Sequence, residues 1–326
     1  LMKSIKKLLS LTLAVLLMAV VFAGCANDEA GGDGDATNPP EESAEPSVEP
    51  EETATPEPTK EASSFDTSNT INVISREEGS GTRGAFIEIV GLLEKDEAGN
   101  ETDKTYEEAT IQNSTEAVLT TVAGDPYAIG YISLGSLNDT VNAIKVEGVE
   151  ATAADVKDKS YKISRPFNIC YKGELSGLAK DFMDFILSAD GQKIAVDNGY
   201  VEVVENAPAY AGSGQKGKLV VAGSTSVTPL MEKLVEAYKG INAEVDIEIQ
   251  ATGSGAGIRS ATEGTADLGM SSRELKPEEL EKLKSETIAM DGIAVIVNKE
   301  NTLKDLTLDQ IKQIFTGEAT EWSAVE

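Results

Sequence analysis

Histidine is absent from this 326-residue chain, and cysteine occurs only twice, as Cys25 and Cys170. Without an imidazole there is no His-based triad, and a catalytic zinc lacks its commonest ligand. Two cysteines cannot form a disulfide framework. Cys170 lies in the apolar stretch Phe167-Asn168-Ile169-Cys170-Tyr171 and reads as a plain buried residue. Positive charge is scarce as well: 28 Lys and Arg stand against 56 Asp and Glu, for a formal charge of −28. Nucleic acid is therefore a poor partner. The one long apolar run, residues 8–22, is too short and too early for a comfortable membrane span.

That run has another reading. Lys3, Lys6 and Lys7 precede it and Ala23-Gly24-Cys25 follows, the pattern of a secretory signal over residues 1–24. Small residues directly before a cysteine resemble a bacterial lipoprotein box, with Phe22 where the motif usually has Leu. The resemblance implies that Cys25 is the lipidated N-terminus, a palmitate-bearing membrane anchor on the outer face of the cell, and the long tether that follows suits a Gram-positive envelope. Ordinary secretion with a free Cys25 is the alternative. Residues 25–68 are rich in Glu, Pro, Ser and Thr and poor in large apolar side chains, so they read as a disordered acidic tether.

From residue 69 onward, strand-like and helix-like runs alternate. Strands are predicted at 71–75, 218–222, 245–250 and 267–270, and helices at 82–93, 114–122, 178–187, 192–198, 277–283 and 308–315. A further helix follows Ser226, which is placed as its cap with Pro229 in the first turn, and another runs to about residue 263. Such units argue for mostly parallel sheets covered by helices, with ligands at the carboxyl ends of strands. Two lobes with a cleft between them suit about 255 residues of this kind. Apolar segments 162–171 and 288–299 are the candidates to cross between lobes.

Three strand-to-helix junctions carry Gly/Ser/Thr loops: Gly79-Ser80-Gly81-Thr82, Gly223-Ser224-Thr225-Ser226 and Thr252-Gly253-Ser254-Gly255. Each places unpaired N–H groups and hydroxyls at a positive helix end, which is how neutral groups hold an anion. Arg76 adjoins the first loop. Taken singly, Ser226 is a helix cap, Ser254 part of a tight turn, and Arg76 a surface partner of Glu77 or Glu78. Their joint occurrence after predicted strands points to one shared cleft for a small oxyanion. Net negative charge does not forbid this, because long-range repulsion is screened over roughly 8–10 Å in physiological salt.

These loops, with Asp267-Leu268-Gly269-Met270-Ser271-Ser272-Arg273-Glu274, Ile314-Phe315-Thr316-Gly317 and Trp322, and Ala128-Ile129-Gly130-Tyr131, resemble the phosphate-binding proteins of bacterial ABC transporters. The resemblance implies an α/β, two-lobed, type II periplasmic-binding-protein fold with a hinge, and a non-enzymatic receptor that closes on inorganic phosphate and delivers it to a membrane permease, without a cofactor. It assigns Thr225, Ser226, Ser254, Arg76, Ser80, Gly81 and Thr82 to the ligand, with Glu78 orienting the arginine. Ser272 stands where familiar members carry an aspartate that accepts the phosphate proton, which leaves selectivity over sulfate less obvious. Arg273 either points into the cleft or pairs with Glu274.

Motif order departs from the family, in which the Gly-Ser-Thr-Ser loop comes first. Here the Arg76 segment comes first, so the sequence reads as a circular permutation with 203–217 as the joint between old ends. One lobe is expected from 69–164 plus 297–326 and the other from 165–296, closing as a monomer; a dimer that swaps halves is the rival arrangement. Rival functions are a binder of sulfate or molybdate, a sensor or adhesin without uptake, and a phosphate-ester hydrolase with Ser80 or Ser226 as nucleophile. The last lacks an evident base.

Overall fold

Alternating β and α runs from residue 71 onward build a nine-stranded mixed sheet with helices packed on it. The structure, a computed structural model, describes residues 65–96 and 101–326. The leader, Cys25 and the tether up to residue 64 lie outside the described residues.

In chain order the strands are β1 (Asn72–Arg76), β2 (Leu93–Lys95), β3 (Glu101–Asp103), β4 (Thr110–Gln112), β5 (Ala128–Ser133), β6 (Val141–Ala143), β7 (Lys145–Val146), β8 (Ser164–Tyr171), β9 (Gly217–Gly223), β10 (Val245–Ala251), β11 (Leu268–Ser271), β12 (Lys284–Asn298) and β13 (Asp305–Leu306). The helices are α1 (Gly81–Val90), α2 (Thr115–Gly124), α3 (Ala153–Lys157), α4 (Gly177–Ile186), α5 (Ala189–Asp197), α6 (Thr228–Ile241), α7 (Ser254–Glu263), α8 (Pro277–Leu280) and α9 (Leu308–Thr316).

The main sheet runs β10-β9-β11-β8-β12-β5-β1-β4, with β6 added on β12. Strands β9, β10 and β11 are mutually parallel, as are β1, β4 and β5. Antiparallel β8 and β12 join the two sets. Fifteen-residue β12 belongs to both: Lys284 to Gly292 pair with β8, and Ile293 to Val297 pair with β5.

Two cores result. Phe86, Tyr131, Ile293, Val295, Phe315 and Trp322 are buried together beside β1 and β5. Phe167, Phe182, Phe185, Leu219, Leu234 and Tyr238 are buried together beside β9 and β11. Each such side chain contributes about 1.5–3 kcal/mol on leaving water. The cores divide where β8 and β12 run between them, and residues 293–297 pack with the first core or its neighbour.

Local signals explain most boundaries. Ser80 Oγ accepts from Arg83 N at 3.3 Å to cap α1, and Gly91 ends it in the left-handed region, so the helix stops short of the predicted residue 93. At α6 the expected cap is displaced. Val227 occupies the capping position, while Ser224 Oγ accepts from the N–H groups of Ser226 and Val227 at 3.2 and 3.4 Å. The Ser226 hydroxyl is thereby released from capping and reaches elsewhere. Helix α8 ends at Leu280 rather than 283. No helix among the described residues is long and apolar enough to cross a membrane.

The start and end of the folded region meet. Ile71 N donates to Thr320 O at 2.8 Å and Ser323 N to Thr67 O at 2.7 Å, with Phe65 edge-on to Trp322. Residues 203–217 are fastened along their length: Val203 N donates to Gln192 Oε1, Ala189 N to Pro208 O, and Tyr210 hydroxyl to Asp181 Oδ2, which also accepts from Tyr238.

Candidate functional site

Five loops converge at the carboxyl ends of parallel strands: those after β1, β4, β9, β10 and β11. The first four lead into α1, α2, α6 and α7, so four helix N-termini face one region. The leading N–H groups of such helices have no intrahelical acceptor.

Arg76, the last residue of β1, is 2% exposed. It is no surface ion-pair partner. Its Nε and Nη2 donate to the two oxygens of Glu77 at 2.8 and 2.9 Å, and Nε also reaches Gln112 O at 3.2 Å. Nη2 donates to Thr225 Oγ1, 149 positions away along the chain, at 3.1 Å. The carboxylate that orients the arginine is thus Glu77, not Glu78, whose side chain is exposed. The physical reason is reach: Glu77 is tucked against Gly253, where a side chain would come within 3.4 Å of its Oε1. Behind the arginine, Tyr131 hydroxyl bonds Ser75 Oγ at 2.9 Å and accepts from Arg76 N at 3.3 Å. Burial pushes the Tyr131 phenol upward, so it stays neutral at ordinary pH.

Beside Arg76 the hydroxyls form two groups, joined by the Ser226 N–H bond to Ser224 Oγ. Ser226 Oγ lies 2.8 Å from Thr82 Oγ1 and 3.0 Å from Thr115 Oγ1. Ser272 Oγ accepts from Ser224 Oγ at 2.9 Å and lies 3.4 Å from Ser254 Oγ, which accepts from Ser272 N at 3.2 Å. Ser224, Ser226, Ser254, Ser272, Thr82 and Thr115 are all buried. A Cβ placed on Gly81 would stand 2.4 Å from Ser254 Oγ and 2.6 Å from Ser272 Oγ, so only glycine lets α1 approach this closely. Backbone joins in: Gly255 N donates to Gly79 O at 3.0 Å.

The structure therefore gathers Arg76, Gly81, Thr82, Thr225, Ser226, Ser254 and Ser272. Ser80 is buried at the same place, but its Oγ is spent on the helix cap. Arg273 does not pair with the Glu274 carboxylate. Its guanidinium pairs with both oxygens of Glu279 at 2.8 Å and its Nη1 bonds the Glu274 carbonyl, not the Glu274 carboxylate. Its aliphatic stem packs over Gly84 of α1, where a Cβ would meet Arg273 Cδ at 3.1 Å.

Sequence reasoning missed Thr115, named Ser224 only as part of its loop, and offered Glu77 only as a surface partner of Arg76. Thr115 had a signal in Asn113-Ser114-Thr115 before a predicted helix, a fourth strand-to-helix junction whose three-residue strand β4 was too short to register. Among the described residues, the hydrogen bonds of the Ser226 and Ser80 hydroxyls go to hydroxyls and backbone, with no base attached to either. That is an arrangement for holding an anion, not for activating a nucleophile.

The chain fits the model described as the PBP superfamily domain over residues 62–190 and 208–325. It is 54% identical over 263 residues to the phosphate-binding protein PstS 2 of Streptococcus agalactiae, covering 80% of this chain and 89% of that protein. It belongs to the bacterial phosphate-binding proteins of the PBP superfamily. PstS 2 of Streptococcus pneumoniae is 49% identical over 265 residues, 81% of this chain and 91% of the relative. A crystal structure of a phosphate ABC transporter's phosphate-binding protein from Streptococcus pneumoniae superposes with a TM-score of 0.65, at 49% identity over 79% of this chain and 100% of that one. The α/β binding-protein fold and the family read from the motifs both hold, and the family is one of transport binding proteins rather than enzymes.

Proposed function

We propose that this protein captures inorganic phosphate between its two halves and delivers it to an ABC permease. The observation that carries this reading is Arg76, buried and bridged to Thr225 of the opposing half, amid six buried hydroxyls. The names of the streptococcal relatives supply the ligand class. Thr225, Ser226, Ser254, Ser272, Arg76, Ser80, Gly81 and Thr82 are the proposed ligand set, and Thr115 is added to it. Arg76 offers charge-assisted donors while Glu77 holds it flat, the geometry suited to two-pronged contact with oxyanion oxygens. An anion bound to both halves favours the closed form and shifts the population toward it.

The finer architecture is part of the same proposal. We place the crossing between lobes at residues 164–166 and near Asp291 rather than at 296/297, because 293–297 pack with the first core or its neighbour. Adjacent ends at residues 65–71 and 320–326, together with a fastened 203–217 joint, support the circular permutation and a self-contained monomer. A match over 89% of the Streptococcus agalactiae protein supports a motif order shared with that relative. The proposed mature protein begins at lipidated Cys25 on the outer face of the cell membrane.

Ser272 in place of an acid keeps a second oxyanion in view. Calorimetric titration of ligand-stripped protein with phosphate and then sulfate separates the two. Tight one-to-one phosphate binding with negligible sulfate binding is expected; equal affinity would overturn the phosphate assignment.

A further inference from the structure

A second buried arginine stands behind the hydroxyl cluster. Arg165, on β8 where it runs beside β12, is 1% exposed. Its Nε and Nη2 donate to Asp291 Oδ2 at 3.2 and 3.0 Å, across a directly opposed pair of the two crossing strands. Its guanidinium carbon lies 5.3 Å from the Phe167 ring centre. The remaining nitrogen, Nη1, donates at 3.2 Å to the carbonyl oxygen of Ser272.

Ser272 is the point where the cluster meets both halves. Its hydroxyl touches those of Ser224 and Ser254, its N–H bonds Ser254, and it faces Gly81 of α1. At the far end of the chain of contacts, Asp291 Oδ1 accepts from Ser133 Oγ at 3.0 Å, at the end of β5 in the first half. Ser133, Asp291, Arg165 and Ser272 are thus connected in series, from one half through the crossing strands to the anion site.

A buried ion pair is weak evidence for stability, since well-packed apolar residues often serve as well. What an apolar pair cannot supply is the third bond. A guanidinium fork satisfies a carboxylate and a carbonyl at fixed angles together, which a single ammonium does not. We propose that Arg165 is a positioning residue of the anion site: through the Ser272 carbonyl it fixes the Ser271–Arg273 turn, and so sets the direction of the Ser272 hydroxyl and the discrimination between phosphate and sulfate. This rests on the phosphate reading. Arg165 touches no ligand itself.

The test uses the full-length protein, ligand-stripped, with phosphate and sulfate titrated into wild type, Arg165→Met/Asp291→Leu, Arg165→Lys, Ser272→Ala and the combination of the first and last variants. The apolar double exchange avoids leaving a buried charge unpaired. It is expected to keep the melting temperature, weaken phosphate by about ten-fold and lower the phosphate-to-sulfate preference. In the Ser272→Ala background the same exchange should cost clearly less, because the residue it positions is gone. Wild-type affinity and preference in a folded double variant would overturn the proposal. If that variant does not fold, Arg165→Lys decides: weakened phosphate and reduced preference support the role, unchanged values refute it. Failure of wild type to bind phosphate would sink the phosphate reading, and this inference with it, before any variant is compared.

Discussion

Gly81 faces Ser254 at a distance that admits no side chain: a Cβ on Gly81 would lie 2.4 Å from Ser254 Oγ. The close approach of α1 to Ser254 is built on that absence.

Gly81→Ala should therefore oppose the approach of α1 to Ser254 and Ser272. Gly81 is the first residue of α1 and its backbone is outside the left-handed region, so alanine suits the helix itself and the penalty comes from the approach to Ser254 and Ser272. The methyl group opposes closure, and overpacking of this kind costs about 1–3 kcal/mol. Calorimetry should show phosphate binding weakened by roughly ten-fold. Unchanged affinity would mean that the halves do not meet here when the anion binds.

Arg76→Ala removes the buried cation of the site and leaves Glu77 facing the ligand. Loss of a charge-assisted partner predicts a penalty of at least about 3 kcal/mol, roughly a hundred-fold in Kd. Titration of the variant with phosphate checks this; near-wild-type affinity would remove Arg76 from the site.

Asp291 makes a prediction about pH. Burial raises its carboxyl to about 6, more than the neighbouring Arg165 guanidinium and Ser133 hydroxyl lower it. Arg165 on β8, Ser133 on β5 and the buried Tyr200 are the groups that surround it. Between the unfolded carboxyl value near 3.8 and the folded value near 6, the native state holds the extra proton, so this group's stabilisation is complete at low pH and is lost as pH rises through that window. Thermal unfolding of wild type and Asp291→Asn should show the wild-type advantage shrinking from pH 4 to pH 6. A constant difference across that range would refute the raised value.

Much of this was legible from local chemistry. Pro229 in the first turn of α6 marks a helix start through local backbone geometry, whereas the Ser80 cap and the stop at Gly91 were not read from the sequence. The alternation in 245–250 and the apolar runs of β8 and β12 record which faces are buried. What escaped the sequence were pairings that exist only because a distant partner is present. Strands β2, β3, β6, β7 and β13 are two or three residues long, too short for a periodicity, and are held by their neighbours in the sheet.

The site divides along the same line. The sequence alone determined the donor chemistry: hydroxyls and glycines at strand-to-helix junctions with one arginine beside them, and no histidine to turn binding into catalysis. Only the tertiary structure decided the division of labour. Glu77 rather than Glu78 holds Arg76 because of which carboxylate faces Gly253, and Arg273 is taken by Glu279. Ser226 is free to reach Thr82 and Thr115 because Ser224 has assumed the bonds at the start of α6. Arg165 reaches Ser272, which is 107 positions away along the chain. Such choices depend on distances of a few ångströms between segments remote in sequence, and hydrogen bonds and charge pairs are selective over just that range.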